Sequence, residues 1–342
     1  MDTLLIKIND ENRDSTVEKA ARLLKDGKVV AIPTETVYGL AASALNIAAV
    51  DEIYDVKGRP ADNPLIVHIS NLIMLKSVVE SMPESAQKLA KEFWPGPLTM
   101  VMKKADAISD AVTCGRDTVA VRMPSQSVAA DIIERAGVPL AAPSANISGK
   151  PSPTTARHVY SDLKGRIPLI VDDGPCTVGV ESTVVSLVGE YPVILRPGMV
   201  SLDEIQQFLP ETVMSEDAMA EVEDGRQVES PGMKYKHYSP NAKILLIRGT
   251  LEQFAAYAKA NASSDTYAMC FDGEEEVIEI PSISYGPKGK PEAQARRLFA
   301  VLRAVDEFGA ESVFVRSPAQ SGVSAAVYNR LLRAAGHKVV EL

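Results

Sequence analysis

Apolar positions in the first 200 residues alternate between helical and strand-like spacing. After Ser15 they recur at three- and four-residue intervals, and Glu18 completes a capping box with that serine, which predicts a helix. The run Val29–Ile32 predicts a buried strand that ends at Pro33, and a second helix is expected from Asn46. The beginning of the chain therefore mixes helices with buried strands.

The same patterns continue to about residue 200. Further strands are predicted at 99–102, 119–123, 138–142, 168–172, 183–188 and 192–196, with a helix at 127–136. Helices and strands do not alternate strictly, so we expect a twisted, partly antiparallel sheet with packed helices over residues 1–210.

A second unit with a different pattern begins near Lys243. Its predicted strands are 243–248, 266–271, 312–316 and 338–341, and its predicted helices are 250–261, 292–308 and 321–335. This regular alternation predicts a small, doubly wound parallel sheet over residues 242–342. Residues 211–241 are expected to link the two domains, because their first part is acidic and aperiodic.

Composition and charge narrow the function classes. The 342 residues are 46% hydrophobic and 24% charged, as in an ordinary globular protein, and the net charge of −9 argues against nucleic-acid binding by bulk electrostatics. We find neither an apolar run that could span a membrane nor a signal-like N-terminus, so a cytoplasmic location is expected. The three cysteines are far apart and lack metal-ligand spacing, which indicates reduced thiols.

Candidate chemistry is concentrated in loops that follow predicted strands or helices. The loops are Pro33–Leu40, Lys57–Pro64, Pro143–Pro153 and Gly174–Thr183, followed by Arg196–Gly198. They offer cations, hydroxyls and glycines, but no Gly-x-Ser-x-Gly elbow, Walker A sequence or dinucleotide fingerprint. A nucleotide site that acts by charge neutralisation and positioning is therefore the chemistry that these loops favour.

Several of these loops also carry the motifs of a known family. Lys57-Gly58-Arg59 and Ser144-Ala145-Asn146 resemble the Lys-x-Arg and Ser-x-Asn signature of threonylcarbamoyl-AMP synthases, whose catalytic part is the YrdC-like domain. Matching blocks occur at Pro33–Leu40, Trp94–Pro97 and Gly179–Thr183. The block Ser230–Pro240, followed by a small Rossmann-like α/β domain, resembles the two-domain form of this family.

The resemblance implies an enzyme, a nucleotidyltransferase that forms threonylcarbamoyl-adenylate and pyrophosphate from L-threonine, bicarbonate or CO2, and ATP. The product would serve the threonylcarbamoylation of adenosine 37 in tRNA, which a separate transferase completes. Mg2+ is expected to bind through the ATP phosphates, without a metal site made by the protein or a tightly bound cofactor. Direct contact with tRNA, including double-stranded RNA, is an open expectation.

The resemblance also assigns roles to individual residues. Those expected to act in catalysis are Lys57, Arg59, Ser144 and Asn146. Those expected to bind ATP are Lys57, Arg59, Asn63, Thr118, Ser144, Ser152, Arg196 and Tyr235, the last on a linker that resembles a lid. Those expected to bind threonine are Thr36, His68, Arg122, Ala142 and Ser182. Arg122 is the strongest candidate for the threonine carboxylate, because a guanidinium group binds carboxylates in a bidentate manner.

Two other functions are compatible with the same loops. A carbamoyl-adenylate-forming relative would use similar chemistry, although such relatives carry zinc-binding cysteine pairs that this chain lacks. A non-catalytic RNA-binding module could use a concave cationic surface, but the acidic net charge argues against this as the main role.

Overall fold

The computed structural model describes residues 1–220 and 238–342, which form two sheets with helices around them. The strands of the larger sheet are β1 Leu4–Lys7, β2 Val30–Ile32, β3 Gly39–Ser43, β4 Ile66–His68, β5 Leu98–Lys103, β6 Thr118–Arg122, β7 Leu140–Ala141, β8 Leu169–Asp172, β9 Thr183–Ser186, β10 Val193–Arg196 and β11 Val213–Met214. Their spatial order is β1-β8-β2-β3-β7-β4-β6-β5-β9-β10-β11. Parallel and antiparallel neighbours both occur, so the predicted mixed sheet is confirmed.

Helices cover both faces of this sheet. They are α1 Arg13–Lys25, α2 Ile47–Lys57, α3 Leu72–Leu75, α4 Glu84–Phe93, α5 Asp110–Thr113, α6 Ser127–Ala136, α7 Ala156–Leu163 and α8 Leu202–Gln206. Side chains that alternate along β2 enter different cores: Val30 packs with α1 and α6, whereas Ala31 packs in the core that includes α2. Because successive strand residues point to opposite faces, one short apolar strand serves both cores.

The smaller domain is a parallel sheet, as predicted. Its strands are β12 Lys243–Arg248, β13 Thr266–Cys270, β14 Ser282–Ser284, β15 Ser312–Arg316 and β16 Val339–Glu341, in the order β14-β13-β15-β12-β16. Its helices are α9 Leu251–Asn261, α10 Pro291–Glu307 and α11 Ser324–Ala334. Among the described residues, no helix has the length and apolar character needed to cross a membrane.

Two local predictions were wrong. The first helix begins at Arg13 after the N-cap Asn12, so Ser15 lies inside it and donates to the Asn12 carbonyl. The capping-box prediction failed because Asn9 and Asn12 bond reciprocally through side chain and backbone and start the helix earlier. The prediction also missed the short strands β1, β3, β11 and β14, which have two to five residues each and give little periodic signal.

The domain boundary at residue 210 stays a prediction, although β11 continues the large sheet beyond it by pairing with β10. A short 3-10 helix, Glu216–Ala218, follows β11. The rest of the predicted linker falls largely within 221–237, outside the described residues.

Candidate active site

A cavity that is partly open to solvent lies beside the ends of the central strands β4 and β6. Its wall consists of the residues Thr34, Thr36, Val37, Gly39, Arg59, Ile66, His68, Arg122, Ala142, Pro143, Ser144, Glu181, Ser182, Arg196 and Tyr238. The predicted loops therefore converge on one place. Concave sites with a few convergent polar groups are the usual form of small-molecule sites in proteins.

Strand pairing positions one side of the cavity. His68 ends β4 and lies in parallel register with Arg122, which ends β6. Thr99 of β5 is the antiparallel partner of Arg122, and its hydroxyl lies 2.7 Å from that of Ser182. Strands β4, β6 and β5 thus place His68, Arg122 and Thr99 in fixed register, and Thr99 bonds to Ser182 at the start of β9.

Arg122 forms a buried ion pair with Glu35. One terminal nitrogen of Arg122 lies 2.6 Å from Glu35 Oε1, the other donates to the Thr36 hydroxyl at 2.7 Å, and Nε donates to the Gly96 carbonyl. Burial alone would raise the pKa of Glu35, but the charge and hydrogen bond of Arg122, with the Ser125 N–H, lower it. The pair orients the guanidinium group on the cavity wall.

His68 is neutral at physiological pH. Burial and the nearby positive charge of Arg122 lower its pKa to about 3. Its Nδ1 is buried and lacks a hydrogen-bond partner among the described residues. A neutral imidazole with an unused nitrogen in the wall of a polar cavity is suited to hydrogen-bonding a ligand.

Lys57 supports the wall from behind. It ends α2, is 1% exposed, and donates to the carbonyl oxygens of Ser144 at 2.5 Å and Asn146 at 2.6 Å. Burial, followed by the charge of Arg59, lowers its pKa well below the ordinary value. Asn146 in turn donates to the carbonyls of Ile147 and Lys150. These bonds fix the backbone around Ser144, which lines the cavity.

Arg59 is held by its own loop. Its Nε donates to the Asn63 carbonyl at 3.0 Å, and one terminal nitrogen donates to the Pro64 carbonyl at 2.8 Å. The left-handed Gly58, at φ 60°, ends α2 and turns the chain so that Arg59 reaches the cavity.

Arg196 approaches from the opposite side. Its guanidinium group donates to the Ser182 carbonyl at 3.0 and 3.1 Å and to the Ser182 hydroxyl at 3.2 Å. A Cβ on Gly198 would lie 2.2 Å from the Thr183 nitrogen, so the close approach of these two segments requires glycine. The glycine of Arg196-Pro197-Gly198 thus serves to bring Arg196 and Ser182 together.

Glu181 connects the cavity wall to the smaller domain. The Ser152 hydroxyl donates to Glu181 Oε1, and Arg330 of α11 donates to Oε2 at 2.8 Å. Tyr238 also lines the cavity, and its ring packs on Phe299 of α10 at 5.3 Å between centroids. The cavity wall is therefore connected to the smaller domain through Glu181 and Tyr238.

The predicted site residues divide into three groups. Those in the wall of the cavity are Thr36, Arg59, His68, Arg122, Ala142, Ser144, Ser182 and Arg196. Those outside the wall are Lys57, Asn63, Thr118, Asn146 and Ser152. Tyr235 lies outside the described residues. Their roles stay predictions, because position alone does not establish what a side chain binds.

Sequence reasoning missed some residues of the site. Glu35, Glu181 and Tyr238 were not proposed, although each lies in a motif already recognised. An acidic residue close in sequence to predicted anion-binding cations could have been predicted as the partner of a buried cation, because buried charges are normally paired. Arg330 lies in no motif, and only the folded structure connects it with Glu181.

Comparisons with known proteins agree with this architecture. A family model described as "Telomere recombination" (Sua5_yciO_yrdC) matches residues 22–198, and one described as "Threonylcarbamoyl-AMP synthase, C-terminal domain" matches residues 200–336. The threonylcarbamoyl-AMP synthase of Pyrococcus abyssi is 39% identical, covering 99% of this chain and 100% of the relative. That of Bacillus subtilis is 42% identical and covers 98% of each chain.

A solved structure is similar over the full length. The crystal structure of P. abyssi Sua5 complexed with L-threonine has a TM-score of 0.91 at 38% identity and covers 100% of both chains. The fold and the site thus define an enzyme of the nucleotidyltransferase type. This chain belongs to the threonylcarbamoyl-AMP synthase family, which confirms the predicted family, fold class and enzymatic function.

Proposed function

We propose that this cavity joins L-threonine, bicarbonate and ATP into threonylcarbamoyl-adenylate, with release of pyrophosphate. The observation that carries the proposal is the convergence of Arg59, Arg122 and Arg196 on one cavity that also exposes the serines 144 and 182. The attacking carbamate and the triphosphate of ATP are both anions, so the main barrier is charge repulsion, and fixed cations lower it without a nucleophile from the protein.

The threonine side is assigned to the wall made by β4, β6 and the Pro33–Leu40 loop. Arg122 would bind the substrate carboxylate through the N–H groups that its contacts with Glu35 and Thr36 leave unused. The neutral His68 would accept or donate one hydrogen bond, and Ser182 would supply a hydroxyl. Ala142 can contribute only backbone contacts and methyl packing.

The nucleotide side is assigned to Arg59, Ser144 and Arg196, which reach the cavity from two loops and from the end of β10. Lys57 and Asn146 would act through the Ser144 backbone, to which Lys57 is bonded. Asn63 would act through Arg59, because its carbonyl accepts from that guanidinium group. Thr118, Ser152 and Tyr235 remain proposals from the family pattern alone.

Mg2+ would enter with the ATP phosphates. Both carboxylates nearest the cavity are already paired, Glu35 with Arg122 and Glu181 with Arg330. Among residues 1–220 and 238–342, no group of three or more His, Cys, Asp or Glu side chains could hold a metal ion. Triphosphate oxygens are therefore the suitable ligands for an ion that neutralises charge during phosphoryl chemistry.

The chemistry proceeds in two steps. The threonine amine first adds to CO2 with loss of a proton, or to bicarbonate with loss of water, to form a carbamate. A carbamate oxygen then attacks the α-phosphorus, and the bond from that phosphorus to the bridging oxygen breaks to release pyrophosphate. Since a carbamate decomposes readily in water, a cavity with buried walls favours the second step. The product would supply the tRNA threonylcarbamoyl transfer reaction in the cytoplasm; direct binding of tRNA stays a prediction.

The testing experiment measures pyrophosphate release from ATP and bicarbonate with L-threonine, L-serine, L-valine or no amino acid. We expect release that depends strongly on both threonine and bicarbonate, with threonylcarbamoyl-adenylate identified by mass spectrometry. Equal release without an amino acid would instead support the carbamoyl-adenylate alternative. No release from folded protein that still binds RNA would support the binding module.

A further inference from the structure

The smaller domain presses directly against one wall of the cavity. Gly179 has φ 87°, and a Cβ on it would lie 2.4 Å from the Cα of Arg296 and 2.6 Å from the Ala295 carbonyl oxygen. Backbone therefore meets backbone at this point between the Gly174–Thr183 loop and α10. Val37 and Val180, both from the large domain, belong to the hydrophobic core of the smaller one.

Arg330 lies at the centre of this contact. Its residue is 0% exposed, although it carries a guanidinium group. Nε donates to Glu181 Oε2 at 2.8 Å, and one terminal nitrogen donates to the Glu181 carbonyl at 3.1 Å. The other terminal nitrogen donates to the Pro197 carbonyl at 2.8 Å and to Asn329 Oδ1 at 2.8 Å. Every guanidinium nitrogen is thus committed.

These partners are the direct neighbours of site residues. Glu181 precedes Ser182, and Pro197 follows Arg196, so Arg330 joins the backbones that carry both. The other carboxylate oxygen of Glu181 accepts a hydrogen bond from the Ser152 hydroxyl. The Arg330 guanidinium group also lies over the ring of Tyr238, 5.6 Å from its centroid. One side chain of the smaller domain therefore contacts or adjoins four residues assigned to the cavity.

An ion pair this deeply buried costs desolvation on both sides, and its stabilising effect depends on good geometry and on additional hydrogen bonds. Here the additional bonds exist, and they are directed at backbone carbonyls of the cavity wall. A purely structural link between domains would not need to end on those residues. The arrangement fits a group that fixes the position of the wall.

We propose that Arg330 is a positioning residue for the reaction, through which the smaller domain holds Glu181, Ser182 and Arg196 in their binding geometry. The inference rests on the proposed function of the cavity. It makes the smaller domain part of the active site, so the large domain of this chain is incomplete without it.

Arg330→Met tests the proposal in the full-length chain, and Arg316→Met is the matched control. Arg316 is also buried in the smaller domain and is also paired, with Glu274 at 3.0 Å, but its contacts remain within that domain. Both variants leave one buried carboxylate without its partner, so they share a destabilising effect. Only Arg330→Met should alter the wall.

We expect Arg330→Met to lower kcat/KM for threonylcarbamoyl-adenylate formation by about 10- to 100-fold, with a raised KM for ATP. At equal loss of thermal stability, Arg316→Met should keep the wild-type KM values. In the double variant Arg330→Met with Glu181→Gln, the losses should be smaller than the product of the single losses, because one change has already broken the pair. Equal effects of the Arg330 and Arg316 variants, or an unchanged KM in folded Arg330→Met, would overturn the proposal.

A second measurement does not depend on the activity. Amide hydrogen exchange in residues 179–183 should be faster in Arg330→Met than in the wild type, and unchanged in Arg316→Met. If the wild type formed no product, the proposed function would fail, and this measurement would still test the contact. Unchanged exchange in Arg330→Met would show that Arg330 does not hold the wall.

Discussion

The ammonium group of Lys57 lies 2.6 Å from the carbonyl oxygen of Asn146, behind the cavity wall rather than in it. With a second bond to the Ser144 carbonyl, it joins the Lys-x-Arg motif to the Ser-x-Asn motif. The two halves of the family signature therefore form one structural unit, in which lysine fixes the loop and arginine faces the cavity.

Replacing Lys57 with Met should lower both stability and activity. The Asn146 carbonyl would lose its donor at a cost of about 1–3 kcal/mol, whereas the Ser144 carbonyl keeps the Asn146 N–H at 3.0 Å. Removing the buried amine of Lys57 offsets part of this loss. Urea unfolding and pyrophosphate release would measure the two effects. Lys150→Met is the control, since Lys150 lies in the Pro143–Pro153 loop that Lys57 contacts and 47% of its side chain is exposed. Its partner Asp162, at 3.5 Å, remains paired with Arg303 in this variant. Wild-type stability of Lys57→Met with loss of ATP binding alone would instead support a direct phosphate contact.

Arg122→Ala should raise the KM for threonine far more than the KM for ATP. It should also lower the free energy of unfolding by about 3–5 kcal/mol, because it leaves Glu35 buried without its partner. Adding Glu35→Gln should recover part of the stability but not the threonine KM. Steady-state kinetics and denaturant unfolding of the three variants separate the effects. A larger change in the ATP KM would overturn the assignment.

Arg59→Ala should reduce adenylate formation by about 100-fold or more, as expected for loss of a cation that stabilises a transition state. Isotope-labelled ATP would follow the product directly. Arg22→Ala, on the exposed side of α1, removes the same charge far from the cavity and should leave the rate unchanged. Near-normal turnover of Arg59→Ala would remove this residue from the phosphate site.

Stability should fall as the pH drops from about 6.5 towards 3, partly because of His68. Its pKa in the folded chain is about 3, so over this interval the unfolded chain binds more protons and acid favours unfolding. The slope from one such group reaches about 1.4 kcal/mol per pH unit. His68→Gln should flatten the curve of unfolding free energy between these pH values. Parallel curves for the two proteins would contradict a neutral, buried His68.

Gly179→Ala should destabilise the contact between the domains more than Gly174→Ala. Both glycines have positive φ, 87° and 81°, so alanine introduces similar backbone strain at each. Only at position 179 would the new methyl group meet the backbone of α10, since nothing lies within 4 Å of a Cβ at Gly174. Calorimetry should show a lower midpoint for Gly179→Ala. Equal midpoints would mean that the interface adapts.

Much of the fold could be predicted from sequence because local patterns determine it. The helix Ser127–Ala136 was predicted with its bounds, and its buried residues all belong to one core. The start of the first helix and the strand β14 were harder to predict. The reciprocal bonds of Asn9 and Asn12 start the helix, and β14 has only three residues. Short strands depend on their neighbours more than on their own composition.

The site residues that lie within local sequence motifs could be predicted from the sequence. Arg122 and Ser182 line the cavity and lie at or next to an end of a predicted strand, whereas Arg59 lies in one of the loops that the motifs identified. The pairing of Glu181 with Arg330 joins residues that are 149 positions apart, and no local signal connects them. Long-range pairs of this kind are set by tertiary packing.

Val37 and Val180 of the large domain belong to the core of the smaller domain, so activity on heating depends on whether the domains separate before they unfold. Parting the two domains would expose apolar side chains at the mouth of the cavity before either sheet melts. Inactivation would then precede global unfolding, and the newly exposed apolar surface would favour self-association at the site itself. Substrates bound in the cavity would delay both events, so the protection they give against aggregation would depend on the contact between the domains.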